Sequence, residues 1–211
     1  MSDLLSGLPA VIAPGARLLI LGSMPGAESL RRGEYYAHPR NLFWNLLEDL
    51  YDIPRALPYA ERLARLGKAR IALWDVVAQC RRTGSLDSAI DPASVVPNDF
   101  TELFRTHPAI GTVCFNGQKA AALYRRLVLP RLGPAHARID YHTLPSTSPA
   151  HAALPAAEKR RRWRAVLIPV TLLPGTDLKS VPETRSKPKR SKGDRFTNLS
   201  PNPTPKKRTR S

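Results

Sequence analysis

The run Leu18-Leu19-Ile20-Leu21, closed by Gly22, leaves this chain few options. Four consecutive aliphatic side chains cannot be shared between a buried face and a wet one. The run is also too short for a helix, so it reads as a strand covered on both sides, the kind found in a parallel sheet between helices. Ser23-Met24-Pro25-Gly26 follows at once, small or turn-forming residues that let a backbone pass close to a ligand. Tyr35 and Tyr36 then precede His38-Pro39-Arg40-Asn41, after which Phe43, Leu46, Leu47 and Leu50 recur at helical spacing and predict a helix from Asn41 to about Tyr51. A strand thus empties into a loop that is polar, aromatic and basic at once. In an open α/β sheet, ligands bind in such a place.

The same alternation continues along the chain. A helix is predicted over Tyr59 to Leu66, with Gly67 as its C-terminal cap. Arg70 to Val77 is a second buried strand ending near polar Asp75 and Gln79. Residues 80 to 96 read as a surface loop, and Asn98 is placed to cap a helix whose inner face is Phe100, Leu103 and Phe104. A third strand, Ile110 to Phe115, runs through Asn116-Gly117 into a helix from Gln118 to about Val128. A fourth, about Arg138 to Thr143, delivers the loop LPSTSPAHA at 144 to 152. The last helix begins at Ala156 and reaches about Leu167, with Trp163 and Leu167 one turn apart on its inner face. Residues 1 to 16 read as a loosely packed lead-in. The expected fold is α/β, a three-layer sandwich with a central, mostly parallel four-stranded sheet flanked by helices. The loops after the first and fourth strands are the most unusual in composition, and this topology is expected to bring them together.

Charge narrows the partner. The 211 residues carry 33 Lys and Arg against 17 Asp and Glu, a net charge of +16, which favours an anionic polymer over an anionic membrane surface or a merely solvated exterior. About half of that excess lies beyond residue 170, where Pro, Ser, Thr, Lys and Arg dominate and no apolar period survives. Two regions follow: a catalytic domain over 1–169 and a basic, disordered tail over 170–211. Cys80 and Cys114 stand alone, without a C-x-x-C pair, which argues against a disulfide framework, a zinc site or an iron-sulfur cluster. Neither a membrane span of roughly 20 apolar residues nor a signal peptide is legible, so a cytoplasmic location is expected.

Three separated motifs carry a resemblance. Gly22-Ser23-Met24-Pro25-Gly26, Tyr36-Ala37-His38-Pro39-Arg40-Asn41-Leu42-Phe43-Trp44 and Leu144-Pro145-Ser146-Thr147-Ser148-Pro149-Ala150 resemble the motif set of the uracil-DNA glycosylase superfamily. They are most similar to its hypoxanthine-DNA (deoxyinosine) glycosylase branch. The resemblance spans about residues 17 to 167. It implies base excision without metal or cofactor: a deaminated base in double- or single-stranded DNA is swung out of the helix and its N-glycosidic bond hydrolysed, leaving an abasic site. It also implies a monomer, associated with the nucleoid through DNA.

The residues suit that task. Gripping the phosphates beside a flipped nucleotide calls for hydroxyls and backbone N–H groups in Gly/Ser/Pro loops, and Ser23, Ser146 and Ser148 are the candidates; each reads equally as a turn residue. Phe43 resembles the family's stacking aromatic, Tyr36 would add a pocket wall, and Gly22, Ser23 and Met24 would line the base, whereas Trp44 belongs to the core. Asp75 and Asn116, at the ends of other strands, are candidate base readers or turn closers. Asn41 is the leading catalytic residue, because a neutral carboxamide both donates and accepts; its other reading is a helix cap. His38 joins it as a contact to phosphate or leaving group. Many relatives carry Asn or Asp where this chain has Met24, and a thioether cannot orient water; the resemblance implies that in the hypoxanthine branch the asparagine matching Asn41 carries the catalytic burden instead, by orienting the attacking water or by hydrogen-bonding the leaving base. Arg160, Arg161, Arg162 and Arg164 read as phosphate contacts or as a solvated face.

The motifs contain no lysine for a Schiff base, so strand cleavage is not expected. Alternatives remain at this point: excision of uracil or xanthine, or a nucleic-acid-binding module that has lost its chemistry. An acyl hydrolase is disfavoured, since Gly22 to Gly26 is not G-x-S-x-G.

Overall fold

A computed structural model describes residues 4–171. In chain order the elements are β1 (Leu4–Ser6), β2 (Leu18–Gly22), α1 (Ala27–Arg32), α2 (Phe43–Tyr51), α3 (Tyr59–Lys68), β3 (Ile71–Asp75), β4 (Val77–Arg81), β5 (Val96–Pro97), α4 (Phe100–Thr106), β6 (Thr112–Asn116), α5 (Gln118–Leu127), β7 (Asp140–Leu144) and α6 (Ala156–Thr171). Four strands form one sheet in the order β3-β2-β6-β7, and every neighbouring pair is parallel. Leu18 to Gly22 are all buried, as a strand covered on both faces must be. Alternation divides them: Leu19 and Leu21 face a core built with α4 and α5, while Leu18 and Ile20 face one built with α2, α3 and α6. Because β2 is flanked by β3 and β6, the chain reverses its winding beside β2, the place where open α/β sheets bind ligands beyond the strands' carboxyl ends.

Several local expectations are corrected. The lead-in is not loose: β1 pairs antiparallel with β4, and Val11 exchanges backbone hydrogen bonds with Leu73. Residues 80 to 96 are not a plain loop, since β1, β4 and β5 make a second, three-stranded sheet whose Val77 and Cys80 join the core. Strands of two to five residues that alternate irregularly carry little periodic signal. Gly67 lies inside α3 rather than capping it. A β-carbon there would come 2.8 Å from that of Ala13, so this glycine permits close packing, and Arg70 takes the left-handed turn instead, with φ of 59°. Asp99, not Asn98, caps α4, while the Asn98 side-chain amide donates to the Asp75 carbonyl at 2.8 Å. The polar stretch after Gly26 forms the short helix α1.

The last helix runs past Leu167 and through Pro169 to Thr171. Beyond its first two positions, the basic tail expected over 170–211 lies outside the described residues. No helix of the described residues is long and apolar enough to cross a membrane.

Candidate active site

The loops after β2 and β7 meet. The Leu42 backbone N–H, one residue after Asn41, donates to the Thr147 carbonyl at 3.1 Å, so the carboxamide loop and the Ser-Pro loop are directly joined. The joint is reinforced from β6. The Asn116 side chain donates to Thr147 Oγ1 and accepts from the Thr147 N–H, both at 2.8 Å, and the Gly117 N–H donates to the Leu144 carbonyl at 3.0 Å. From α6, Trp163 Nε1 donates to the Pro145 carbonyl at 2.9 Å and Lys159 Nζ to the His151 carbonyl at 2.6 Å. Three parts of the fold, the start of α2, the end of β6 and α6, therefore fix one loop, mostly through its backbone, which positions its side chains more tightly than loop contacts alone.

Within this joint the expected residues take distinct places. The Asn41 side-chain oxygen accepts the Phe43 N–H at 3.0 Å, which satisfies one of the unpaired donors at the start of α2. The carboxamide oxygen thus closes a turn immediately before the helix, whose N-cap is Leu42, and its NH2 group meets no partner among the described residues. Phe43 is fully buried. Tyr36 lies flat against it, with ring centroids 3.9 Å apart and planes inclined by 23°. Trp44 and Trp163 meet Phe43 edge-on, and Trp44 Nε1 is bonded to the Tyr35 carbonyl, in keeping with a core role. His38 shapes a turn, its Nδ1 accepting the Arg40 N–H and its carbonyl the Asn41 N–H.

The serines differ in what they leave free. Ser146 Oγ accepts the Ser148 N–H and Ser148 Oγ the Ala150 N–H, so each hydroxyl keeps its own hydrogen to donate. Ser23 is nearly buried and spends its hydrogen on Asp87 Oδ1, at 2.6 Å. In this arrangement it has none for a phosphate, and Asp87 stands in the way.

At the carboxyl end of β3, Asp75 is 3 % exposed and its Oδ2 has no hydrogen-bond partner among the described residues. Burial, helped by the nearby Asp87 charge and opposed by Arg82, pushes its carboxyl up to about 8, so it holds a proton at neutral pH. A side chain at Gly22 would collide with Asp75 Oδ1; glycine there makes room for this acid. Asn116 is committed to Thr147 at both ends of its amide. Met24 is packed in the core, with nothing polar to offer a water molecule.

Three contributors were not legible in the sequence. Thr147 is fully buried and is the hub of the joint, although only its serine neighbours had been singled out. Arg82 is buried beneath the β2 loop; its Nη2 donates to the Pro25 carbonyl at 2.6 Å, and its Nε and Nη1 have no hydrogen-bond partner among the described residues. Asp87 caps Ser23 from a segment read only as surface. Arg82 and Asp87 lie outside the three motifs and Thr147 inside one, but the importance of each comes from contacts 31 to 64 residues away.

On the helix face of arginines, Arg160 pairs with Asp49 at 2.5 Å, while Arg161 and Arg162 share Glu158. Arg164 is exposed.

Comparison with known proteins bears on the family and the fold. The sequence pattern of the uracil DNA glycosylase superfamily matches residues 9–168. A hypoxanthine DNA glycosylase of Methanosarcina acetivorans is 36 % identical over 167 residues, which is 76 % of this chain and 96 % of that protein. A hypoxanthine DNA glycosylase of Methanosarcina barkeri is 40 % identical over 119 residues, covering 54 % and 72 %. The solution NMR structure of a Methanosarcina acetivorans protein, provisionally named a uracil DNA glycosylase, superposes with a TM-score of 0.66 at 34 % identity, over 80 % of this chain and 99 % of that one.

Proposed function

This chain belongs to the uracil-DNA glycosylase superfamily, and from that membership we propose how its site removes a deaminated base, chiefly hypoxanthine, from DNA. The protein is a monofunctional DNA glycosylase: it hydrolyses the N-glycosidic bond and leaves an abasic site. The observation that carries the reading of the site is the bond from the Leu42 N–H to the Thr147 carbonyl. It sets Asn41 beside the Ser146–Ser148 turn, so that one nucleotide can be held at its phosphates and attacked at its sugar-base linkage.

As that bond breaks, the sugar gains positive charge and the departing base negative charge. Catalysis consists of stabilising both more strongly than in the ground state. Asn41 has its oxygen fixed by the Phe43 N–H, so its two N–H donors are available to the leaving base. Ser146 and Ser148, with hydroxyl hydrogens in hand, take the flanking phosphates. Asp75, neutral at physiological pH, offers a donor and an acceptor side by side, which complements the adjacent N1–H and O6 of hypoxanthine. Lys159 is buried by α6 and occupied by the His151 carbonyl, an arrangement that does not serve Schiff-base chemistry. DNA is the substrate; the monomeric state, action on duplex as well as single strands, the cytoplasmic location and the division at residues 169/170 are part of the same proposal.

Duplexes carrying a single hypoxanthine, uracil or xanthine, incubated with purified protein and then treated with alkali, test the reading. Breaks at hypoxanthine well ahead of the other two are expected. Binding without breaks at any of them would leave a DNA-binding module only.

A further inference from the structure

The loop after β2 is held from outside its own motif. Residues 82 to 87, between β4 and β5, reach it at three alternate positions. Arg82 Nη2 donates to the Pro25 carbonyl at 2.6 Å, the Ala27 N–H donates to Ser85 Oγ at 3.0 Å, and Ser23 Oγ donates to Asp87 Oδ1 at 2.6 Å. The first and last of these join a neutral group to a charged one, the stronger kind of hydrogen bond. The segment that makes them is itself rooted. Arg82 bridges to Ile90, whose side chain is in the core, and the Arg81 N–H donates to Ser94 Oγ at 2.7 Å.

The loop's own side chains explain why it needs such a hold. Gly22 has none, and Asp75 Oδ1 stands where its β-carbon would be. Met24 is packed in the core. Ser23 is the one polar side chain from Gly22 to Gly26, and its hydrogen is spent on Asp87. The loop can therefore act on a substrate only through its main chain. A main chain that lines a reacting group serves it only when held to within about 0.5 Å. The Val76 and Val77 N–H groups fix the start of the loop, donating to the Gly22 and Ser23 carbonyls at 2.9 and 3.0 Å. From the Ser23 side chain to Ala27 the hold passes to residues 82 to 87.

We propose that Asp87 is a positioning residue for base release, which holds the β2 loop through Ser23, and that the Ser23 hydroxyl anchors this loop and is not a ligand of DNA phosphate. Arg82 and Ser85 complete the clamp. The inference rests on the glycosylase reading, in which the loop lines the departing base, and adds to it a part of the machinery outside the three motifs. Its signature is a slower bond-breaking step with DNA binding intact, because a displaced loop spoils the geometry of reaction and not the grip on the duplex.

Ser23→Ala, Asp87→Ala and the double variant, each shown to be folded by thermal melting, are compared with the wild type in single-turnover release of hypoxanthine and in binding to the same duplex. Each single variant should release base about tenfold or more slowly. The double variant should be no more than about twofold slower than either, since both substitutions break one contact. Binding by Ser23→Ala should match the wild type. Asp87→Asn loses the same charge as Asp87→Ala but keeps an oxygen for the Ser23 hydroxyl, and should recover most of the rate. Weaker DNA binding by Ser23→Ala would make Ser23 a phosphate ligand and overturn the clamp. So would losses that multiply in the double variant, an Asp87→Asn protein as slow as Asp87→Ala, or variants that release base at the wild-type rate or faster. A wild-type protein that releases no base from any duplex would overturn the glycosylase reading and this inference with it. Release by the wild type beside any of the other contrary results leaves that reading standing and removes the clamp alone.

Discussion

In the proposed site one side chain, Asn41, is assigned both to the fold and to the chemistry. Its oxygen closes the turn that leads into α2 by accepting the Phe43 N–H, and its nitrogen faces no competing partner among the described residues. The two roles separate by substitution. Asn41→Ala should lose base release by a factor of about 100 or more and cost about 1 kcal/mol of stability, with DNA binding within a few fold of wild type. Asn41→Asp keeps an acceptor for the Phe43 N–H and should melt at or above the wild-type temperature, yet release almost no base. Single-turnover assays beside thermal melts read both, and full activity in Asn41→Ala would remove the catalytic assignment. Asp75 gives a second test at this scale. Its carboxyl titrates near 8 when folded against about 3.9 in an unfolded chain. Between those values the folded form holds a proton that the unfolded form has lost, so stability falls as pH rises from about 4 to about 8 and is level beyond. Asp75→Asn should therefore raise Tm by about 5 °C or more at pH 8 and change it little at pH 4. Equal shifts at both pH values would show that the carboxyl is not the cause.

Among the elements, the β7–α6 loop is the one most heavily secured, and Thr147 is where β6 and the start of α2 take hold of it. Thr147→Val keeps the shape but leaves the Asn116 NH2 group without its partner, at a cost of about 1–3 kcal/mol. Base release should drop about tenfold or more as the Ser146–Ser148 turn loosens. Thr147→Ser restores the hydroxyl and should recover most of the rate. If valine and serine behave alike, the joint is held by backbone alone. Gly117 belongs to the same joint: φ there is 106°, and a β-carbon would come 3.0 Å from that of Ser146. Alanine at this position is strained in its backbone and presses on the very loop that Asn116 holds.

For the whole molecule, the open question is how the positive charge is used. On the described face of α6, Arg160, Arg161 and Arg162 are already paired with acids, which limits what they add to DNA binding. Residues 172–211 contain 11 Lys and Arg against three Asp and Glu. Ending the chain after Thr171, where α6 ends, should weaken DNA binding and flatten its dependence on salt, since fewer counterions are released. The base released should stay the same. Binding measured across a salt series, with and without these residues, checks this; unchanged slopes would place the DNA contacts entirely within 4–171.

By itself the sequence determined the layered α/β plan and the motifs at the ends of its elements, for a local reason. Aliphatic runs such as Leu18 to Leu21 must be buried on both faces, and Phe43 to Leu50 can hide their apolar side only as a helix. Motifs at the ends of those elements are fixed in space once the elements are. Tertiary structure alone decided how the members are used. Tyr36 covers Phe43, Asp87 takes the hydrogen of Ser23, Thr147 rather than its serine neighbours joins the loops, and Asp75 keeps its proton. Each of these depends on burial or on a partner distant in the chain. Neither quantity is written in the residues on either side, because hydrogen bonding and desolvation act through space and not along the backbone.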